Sequence, residues 1–493
     1  MRLSSKSEGD RVIRRGDFHG GLNTITVPEM IADNQLAECV NMDFNKSTGA
    51  LQTSSGSITI FKAPANVNLT DCFYDKINNI FIVIDSNRNI YKTHLIDMVG
   101  DGTDFVRIGS LNGDKKPMAV MWEYGLLIAS GGKLQYWTGL ELKTIASSPA
   151  VCNGVFVKNG RVWIWYKYTL VSSGVGDEEN WTDTSSDDST SKWIDVGYKE
   201  GEEGAADIVG VTALSSDIII IKADGKIYRL TGNYPNWNLL EVARNINILN
   251  RNCYTAIQDG VFILSRDSLF YLQTTQNYGD IQPQNIAVNI NNLFSDLDIE
   301  ETKMVFIPIL NQIWITSRGG NVIIFDVTFR AFLQREFKSR VMDLVTDYFS
   351  VLLVKADKVT RLMNGVFYDE LYSNTATPVN WRITAKTDTS FYSYLLKRVR
   401  VAYVPFSDTF QKADVIMAKG KIEVPIPEGK IKEKTIREIT TNIVDDDSYI
   451  FPNETQFNTK WMVYRDRSFD MKARGVNAPL MINKIDSDLV EVG

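Results

Sequence analysis

Histidine is nearly absent: His19 and His94 are the two in 493 residues. A His-based catalytic triad would need one of them, and neither lies in a nucleophile motif. Both read as surface or hydrogen-bonded side chains. Cysteine is almost as scarce. Cys39, Cys72, Cys152 and Cys253 lie far apart, and no pair has metal-ligand spacing. Free thiols in a reducing compartment are expected. No apolar run approaches the roughly 20 residues that span a bilayer. The start, Met1-Arg2-Leu3-Ser4-Ser5-Lys6, lacks the apolar stretch of a secretion signal, so a soluble chain made in the cytoplasm is expected. Positive charge is not in excess either. A net charge of −7 sets aside a general DNA binder with a basic face. It does not set aside DNA as something the protein lets pass. A Walker loop and a Gly-x-Gly-x-x-Gly turn after a strand are also missing. No catalytic residue, cofactor or metal is therefore expected.

What the chain has is repetition. An apolar, β-rich run followed by a tight polar or glycine turn recurs seven times: Ile80–Ile84, Leu126–Ala129, Val162–Trp165, Ile218–Ile221, Val261–Leu264, Ile313–Thr316 and Val351–Val354. The mean spacing is roughly 45 residues, the length of a four-stranded propeller blade. The expected fold class is all-β: a β-propeller of about six to seven blades over residues 66–373. A blade cannot bury both faces alone, so the ring must close. A strand from the preceding arm or from the segment after the last repeat would close it. Residues 1–65 read as an irregular, glycine-broken arm whose one good strand is Ile58–Phe61. Leu36–Met42 and Ile290–Leu297 read as short helical pieces. Residues 374–493, with longer strands such as Lys397–Val404, suit a separate β-sandwich-like domain.

Several polar features invite functional readings. Between Asp177 and Gly204 lie ten acids and two lysines, with Ser and Thr filling much of the rest. This reads as a long solvated loop on the third repeat. Asp177, Glu178, Glu179, Asp183, Asp187 and Asp188 are the candidates for a channel-facing or partner-docking surface. Asp85, Asn87 and Asn89 have the first spacings of a calcium loop. Ile90 stands where its glycine belongs and no Glu closes it, so a polar hairpin turn is expected. Trp163, Trp165 and Trp314 lie inside strands and read as core. Acids are plentiful, so a pair suited to glycoside hydrolysis carries little information.

The arm carries a more specific signal. Asp17-Phe18-His19-Gly20-Gly21-Leu22-Asn23 is followed by Ala32-Asp33-Asn34-Gln35-Leu36, by Asn41-Met42-Asp43-Phe44 and by Gly49-Ala50-Leu51. This order resembles the N-terminal region of bacteriophage tail propeller proteins. The usual arginine after Gly-Ala-Leu is missing here. Gly160-Arg161-Val162-Trp163 with Glu179-Asn180-Trp181-Thr182-Asp183, and the run Asp207–Leu272, are similar to blades of that family. The resemblance covers roughly residues 16–370. With a chain near 490 residues it points to the tail nozzle or hub of short-tailed phages, the packaged-DNA stabilisation protein. It implies a structural virion protein, not an enzyme. The implied assembly is a homohexamer in the virion tail, below a head-to-tail adaptor ring. Such a ring bears tail spikes or fibres and a needle or plug, and conducts genomic DNA without reading its sequence. Gly20, Gly21, Leu22 and Asn23 are the candidate arm contacts. A carbohydrate-binding or hydrolytic propeller is the competing reading.

Overall fold

The computed structural model describes residues 10–94, 105–183, 189–198, 204–232, 236–258, 260–274, 281–317, 319–347, 349–372 and 375–386, and beyond these the strands within 388–492. The protein is all-β and its repeats form a seven-bladed β-propeller. Two compact units are present. One is Thr59–Gly320 with Ser339–Arg361; the other is Met1–Ile58 with Asn321–Lys338 and Leu362–Gly493.

In the first unit, five blades are complete four-stranded antiparallel sheets. The first runs Leu69–Asp75, Ile80–Asp85, Asn89–His94 and Val106–Ser110. The second is Met118–Trp122, Gly125–Ala129, Gln135–Trp137 and Leu142–Thr144. The third is Gly154–Lys158, Arg161–Tyr166, Thr169–Ser172 and Lys192–Asp195. The fourth spans Ile208–Leu214 to Asn238–Ala243, and the fifth Tyr254–Ile257 to Ile281–Asn285. The sixth begins with Lys303–Ile307 and Gln312–Thr316, the seventh with Asp343–Thr346 and Val351–Lys355.

All seven apolar runs are the second strands of their blades. A second strand has a sheet neighbour on each edge and another blade against each face, so both of its side-chain sets are buried. That is why these runs read as continuous rather than alternating. The period-2 geometry sends alternate residues to opposite neighbours. Leu126 and Ile128 pack with Ile82 and Ile84 of the first blade, while Leu127 and Ala129 pack with Val162 and Ile164 of the third. Trp163 and Trp165 then meet Ile218 and Ile220 of the fourth, whose Ile219 and Ile221 meet Val261 and Ile263 of the fifth. Each such side chain contributes about 1.5–3 kcal/mol by leaving water. The three strand tryptophans are core, as expected. All four cysteines are buried and free of disulfides.

The ring closes through the arm. Ser57–Lys62 lies beside Lys358–Leu362 as the fourth strand of the seventh blade, and the Ala63 amide donates to the Asp357 carbonyl at 2.9 Å. Of the two closure routes open in the sequence, the first is used.

The second unit holds strands from the arm and the C-terminal region in two sheets. In one, Leu480–Val492 lies between Leu51–Thr53 and Ser393–Pro405, and Asp10–Arg15 also pairs with it. In the other, Gln35–Val40 lies between Ala331–Glu336 and Trp381–Ala385, and Met471–Gly475 follows.

Three expectations are corrected. The arm is not irregular: it carries Asp10–Arg15, Gln35–Val40, Met42–Phe44, Leu51–Thr53 and Ser57–Lys62 as strands. Leu36–Met42 is strand rather than helix, because pairing with Trp381–Ala385 overrides its local preference. The segment 177–204 is not one solvated loop, since Lys192–Asp195 inside it pairs with Thr169–Ser172. Around Ile290–Leu297 a short 3-10 helix, Asn291–Phe294, does form.

Candidate functional sites on the arm, the acidic segment and the propeller axis

The ordered arm motifs come together in one seat. Gly20 donates its amide to the Asn34 carbonyl and Gly21 to the Phe18 carbonyl, both at 3.0 Å. Gly21 has φ +64°, and a Cβ there would sit 2.7 Å from the Ala331 Cβ and 2.9 Å from the Phe332 amide nitrogen. Only glycine fits that approach. Leu22 is buried beside it. Asn23, also buried, holds the loop that follows: its Nδ2 donates to Gln35 Oε1 at 2.9 Å, and its Oδ1 accepts from the Thr26 amide at 3.1 Å.

His19 joins three motifs that are apart in sequence. Its ring stacks on Phe329 with centroids 4.6 Å apart, meets the Phe44 edge at 5.9 Å, and places Nε2 3.0 Å from the Gly49 carbonyl oxygen. It is a hydrogen-bonded packing residue. Asn41 ties the next motif down. Its Oδ1 accepts from the Glu336 amide at 2.8 Å, its Nδ2 donates to the Asn380 carbonyl at 2.6 Å, and its own amide donates to the Gln334 carbonyl at 2.9 Å. Nearby Lys46 pairs with the fully buried Asp326. Phe329, Asn41 and the Lys46–Asp326 pair were not legible as contacts, because their partners lie roughly 280–340 residues away along the chain.

The acidic segment is only partly loop. Asp177, Glu179 and Asp183 are exposed. Glu178 is half-buried: its Oε2 accepts from Trp122 Nε1 at 3.0 Å, and its carbonyl accepts from Trp181 Nε1 at 2.6 Å. Trp181 is buried and pins the segment to the sheet. Asp183 pairs at 3.3 Å with Lys192, whose side chain is buried. Asp187 and Asp188 lie outside the described residues. The Asp85–Asn89 stretch is a hairpin turn: Asp85 accepts from the Asn89 amide at 2.8 Å and from Tyr91 Oη at 3.2 Å.

Antiparallel connectivity puts the acidic segment, which joins third and fourth strands, on one propeller face. The connections between blades lie on the other face, together with the Asp85–Asn89 turn, which joins a second strand to a third. Four charged groups from distant segments meet there near the axis. Lys303 pairs with Asp343, whose Oδ2 accepts from the Cys72 amide at 2.9 Å and whose Oδ1 accepts from the Leu344 amide at 2.7 Å. Lys116 Nζ stands 3.8 Å from Asp71 Oδ1. Burial pushes the Asp71 carboxyl above its usual range, helped by Asp343, while Lys303 and Lys116 pull the other way. Burial works against the Lys303 ammonium, but Asp343 and Asp71 beside it outweigh this and hold its pKa up. The Cys72 thiol is pushed far up by burial and by Asp343, so it is inert. Arg251, just before the fifth blade, donates to the Asn153 carbonyl just before the third. Beside the cluster opens a cavity of about 380 Å³. Among the described residues, no group of three or more His, Cys, Asp or Glu is placed to hold a metal ion.

No protein-family model matches the chain, and no curated protein matches it. Among solved structures the chain is similar to BamB from Moraxella catarrhalis, at 12% identity and TM-score 0.40, over 64% of this chain and 90% of that one. It is similar to the N-terminal domain of Nup159, at 9% identity and TM-score 0.42, over 66% and 97%. It is also similar to the Pan2 WD40 domain from Neurospora crassa, at 7% identity and TM-score 0.43, over 64% and 98%. Likenesses at these identities and TM-scores carry no argument about what the chain does.

Proposed function

We propose that this chain is a structural protein of a short-tailed phage virion: the tail nozzle or hub, acting without catalysis. The supporting observation is the ordered set of arm motifs from Asp17 to Leu51 that resembles that family. Those same motif residues gather around His19 and Asn41, which is what a shared arm architecture requires. On this reading six copies form a ring in the tail. The ring docks the adaptor on one side and spikes or fibres and a needle on the other, helps retain packaged DNA, and conducts it at ejection. A net charge of −7 per chain suits a conduit through which DNA must slide without gripping lysines. The acidic segment from Asp177 to Asp188 is the candidate lumen-facing or partner-docking element.

The test is a reconstruction of purified particles from a host expressing this gene with its genomic neighbours. A six-fold ring of this chain below the portal is the expected result. Particles that lack the chain, or a purified chain that cleaves or binds polysaccharide, would overturn the reading.

A further inference from the structure

The cavity on the face opposite the acidic segment has unused valences of both signs. Asp71 is 5% exposed and lines it, yet its Oδ1 has no hydrogen-bond partner among the described residues. A buried carboxylate oxygen without a hydrogen bond is costly even with ammonium groups nearby, and native structures seldom keep one without a ligand or water. Lys116, also lining the cavity, makes no hydrogen bond among the described residues and stands 3.8 Å from Asp71 Oδ1, too far for one. Arg88 uses one guanidinium nitrogen on the Lys115 carbonyl at 3.0 Å, and its Nε has no hydrogen-bond partner among the described residues. Glu300 adds an exposed carboxylate to the rim. Arg340 and Glu301, also in the lining, form an ion pair, and the Arg340 Nε has no hydrogen-bond partner among the described residues.

The lining sets the acids Asp71, Asp85, Glu300 and Glu301 against the bases Arg88, Lys116 and Arg340, with Asp85 already accepting from the Asn89 amide and Tyr91, so neither a simple anion nor a simple cation is complementary to the whole. A ligand carrying both charges a few ångströms apart is. We propose that this axial cavity binds a small zwitterion of the free α-amino-acid class. Its carboxylate is received by Lys116 and Arg88. Its ammonium is received by Asp71, with Glu300 at the rim. The carboxylate and ammonium of such a molecule are separated by about the length of one hydrogen bond. Set against the Lys116–Asp71 spacing, they complete a four-membered array of alternating charge. A cavity of about 380 Å³ lies within the range of small-molecule sites.

The experiment is calorimetric titration of the full-length chain with each of the free L-amino acids in turn. The same titration is repeated with the N-acetyl and methyl-ester forms of any that bind, and with acetate, methylammonium and glucose. Saturable binding by at least one amino acid is expected, weakened by about tenfold or more when either charge is blocked. Lys116→Met, a change at a partly exposed side chain, should abolish it while the circular dichroism spectrum stays that of the parent. Asp71→Asn should also weaken it, and if that variant fails to fold, Lys116→Met decides. The proposal is overturned by no saturable binding of any amino acid, by blocked analogues or glucose binding equally well, or by full binding in Lys116→Met.

Discussion

The indole N–H of Trp122, at the end of the first strand of the second blade, donates to the carboxylate of Glu178 in the third blade's acidic segment at 3.0 Å. One acid of a run that reads as solvated is therefore a strut between blades. A charge-assisted, half-buried hydrogen bond is worth about 1.5–3 kcal/mol. Glu178→Ala should lower unfolding stability by about 1–2 kcal/mol, read from urea midpoints. Asp177→Ala and Glu179→Ala, at exposed positions, should stay within about 0.5 kcal/mol. Equal losses at all three would show that Glu178 bears no special load. Charge-reversal tests of a conduit role should therefore use Asp177 and Glu179, where stability does not confound release.

Gly21 and Gly176 separate conformational strain from crowding. Both have positive φ, +64° and +66°. A Cβ at Gly176 meets nothing within 4 Å, whereas at Gly21 it meets backbone of Phe332 at 2.9 Å. Gly176→Ala should cost about 1–2 kcal/mol, the ordinary left-handed penalty. Gly21→Ala adds overpacking and should cost about 3 kcal/mol or more. Chemical denaturation followed by fluorescence measures both, and equal costs would contradict the close approach of the arm to Ala331 and Phe332.

Lys222 supplies a pH signature. It is buried in the fourth blade, its Nζ donates to the Val196 carbonyl at 2.6 Å, and burial pushes its pKa down to about 8. In the unfolded chain a lysine titrates near 10.4. Between these values the unfolded state holds more protons than the folded one, so this group makes stability rise with pH there. The gain should be about 1–3 kcal/mol from pH 8 to 10. Lys222→Met should remove that rise. A wild-type minus variant difference that is flat across the window would mean that the ammonium is not desolvated.

Deleting residues 1–45 removes Gln35–Val40 and Met42–Phe44 but spares Ser57–Lys62, which closes the ring. The truncated chain should keep a cooperative β-sheet melt from the propeller. If the proposed function holds, it should fail to complement tail assembly. Loss of the propeller transition would show that the arm before residue 46 is needed for the ring itself.

Legibility followed burial. The second strands stood out in the sequence because both faces are covered, as in Ile218–Ile221. The outermost strands did not. Ile281–Asn285 buries one residue in five and includes Pro283, and Lys192–Asp195 sits inside an acidic stretch. Edge strands with one wet side carry little pattern. Leu36, Cys39 and Val40 are all buried at spacings that also suit a helix face, so Gln35–Val40 was misleading until its neighbours were known. Axial Asp71, Lys116, Lys303 and Asp343 come from four separate segments. No local spacing announces a cluster that only ring closure creates.

That closure has a cost in time. Ser57–Lys62 is synthesised before any blade, and its partner Lys358–Leu362 emerges roughly 300 residues later. At about 5–20 residues per second, the delay is about 15–60 s. Throughout it, Ile58, Ile60 and Phe61 form an unpaired β-prone edge on the nascent chain, the kind of segment that mispairs with other chains. A translation pause between residues 62 and 358 would lengthen this vulnerable interval. The seventh blade could not mature until the strand made before the blades found its partner.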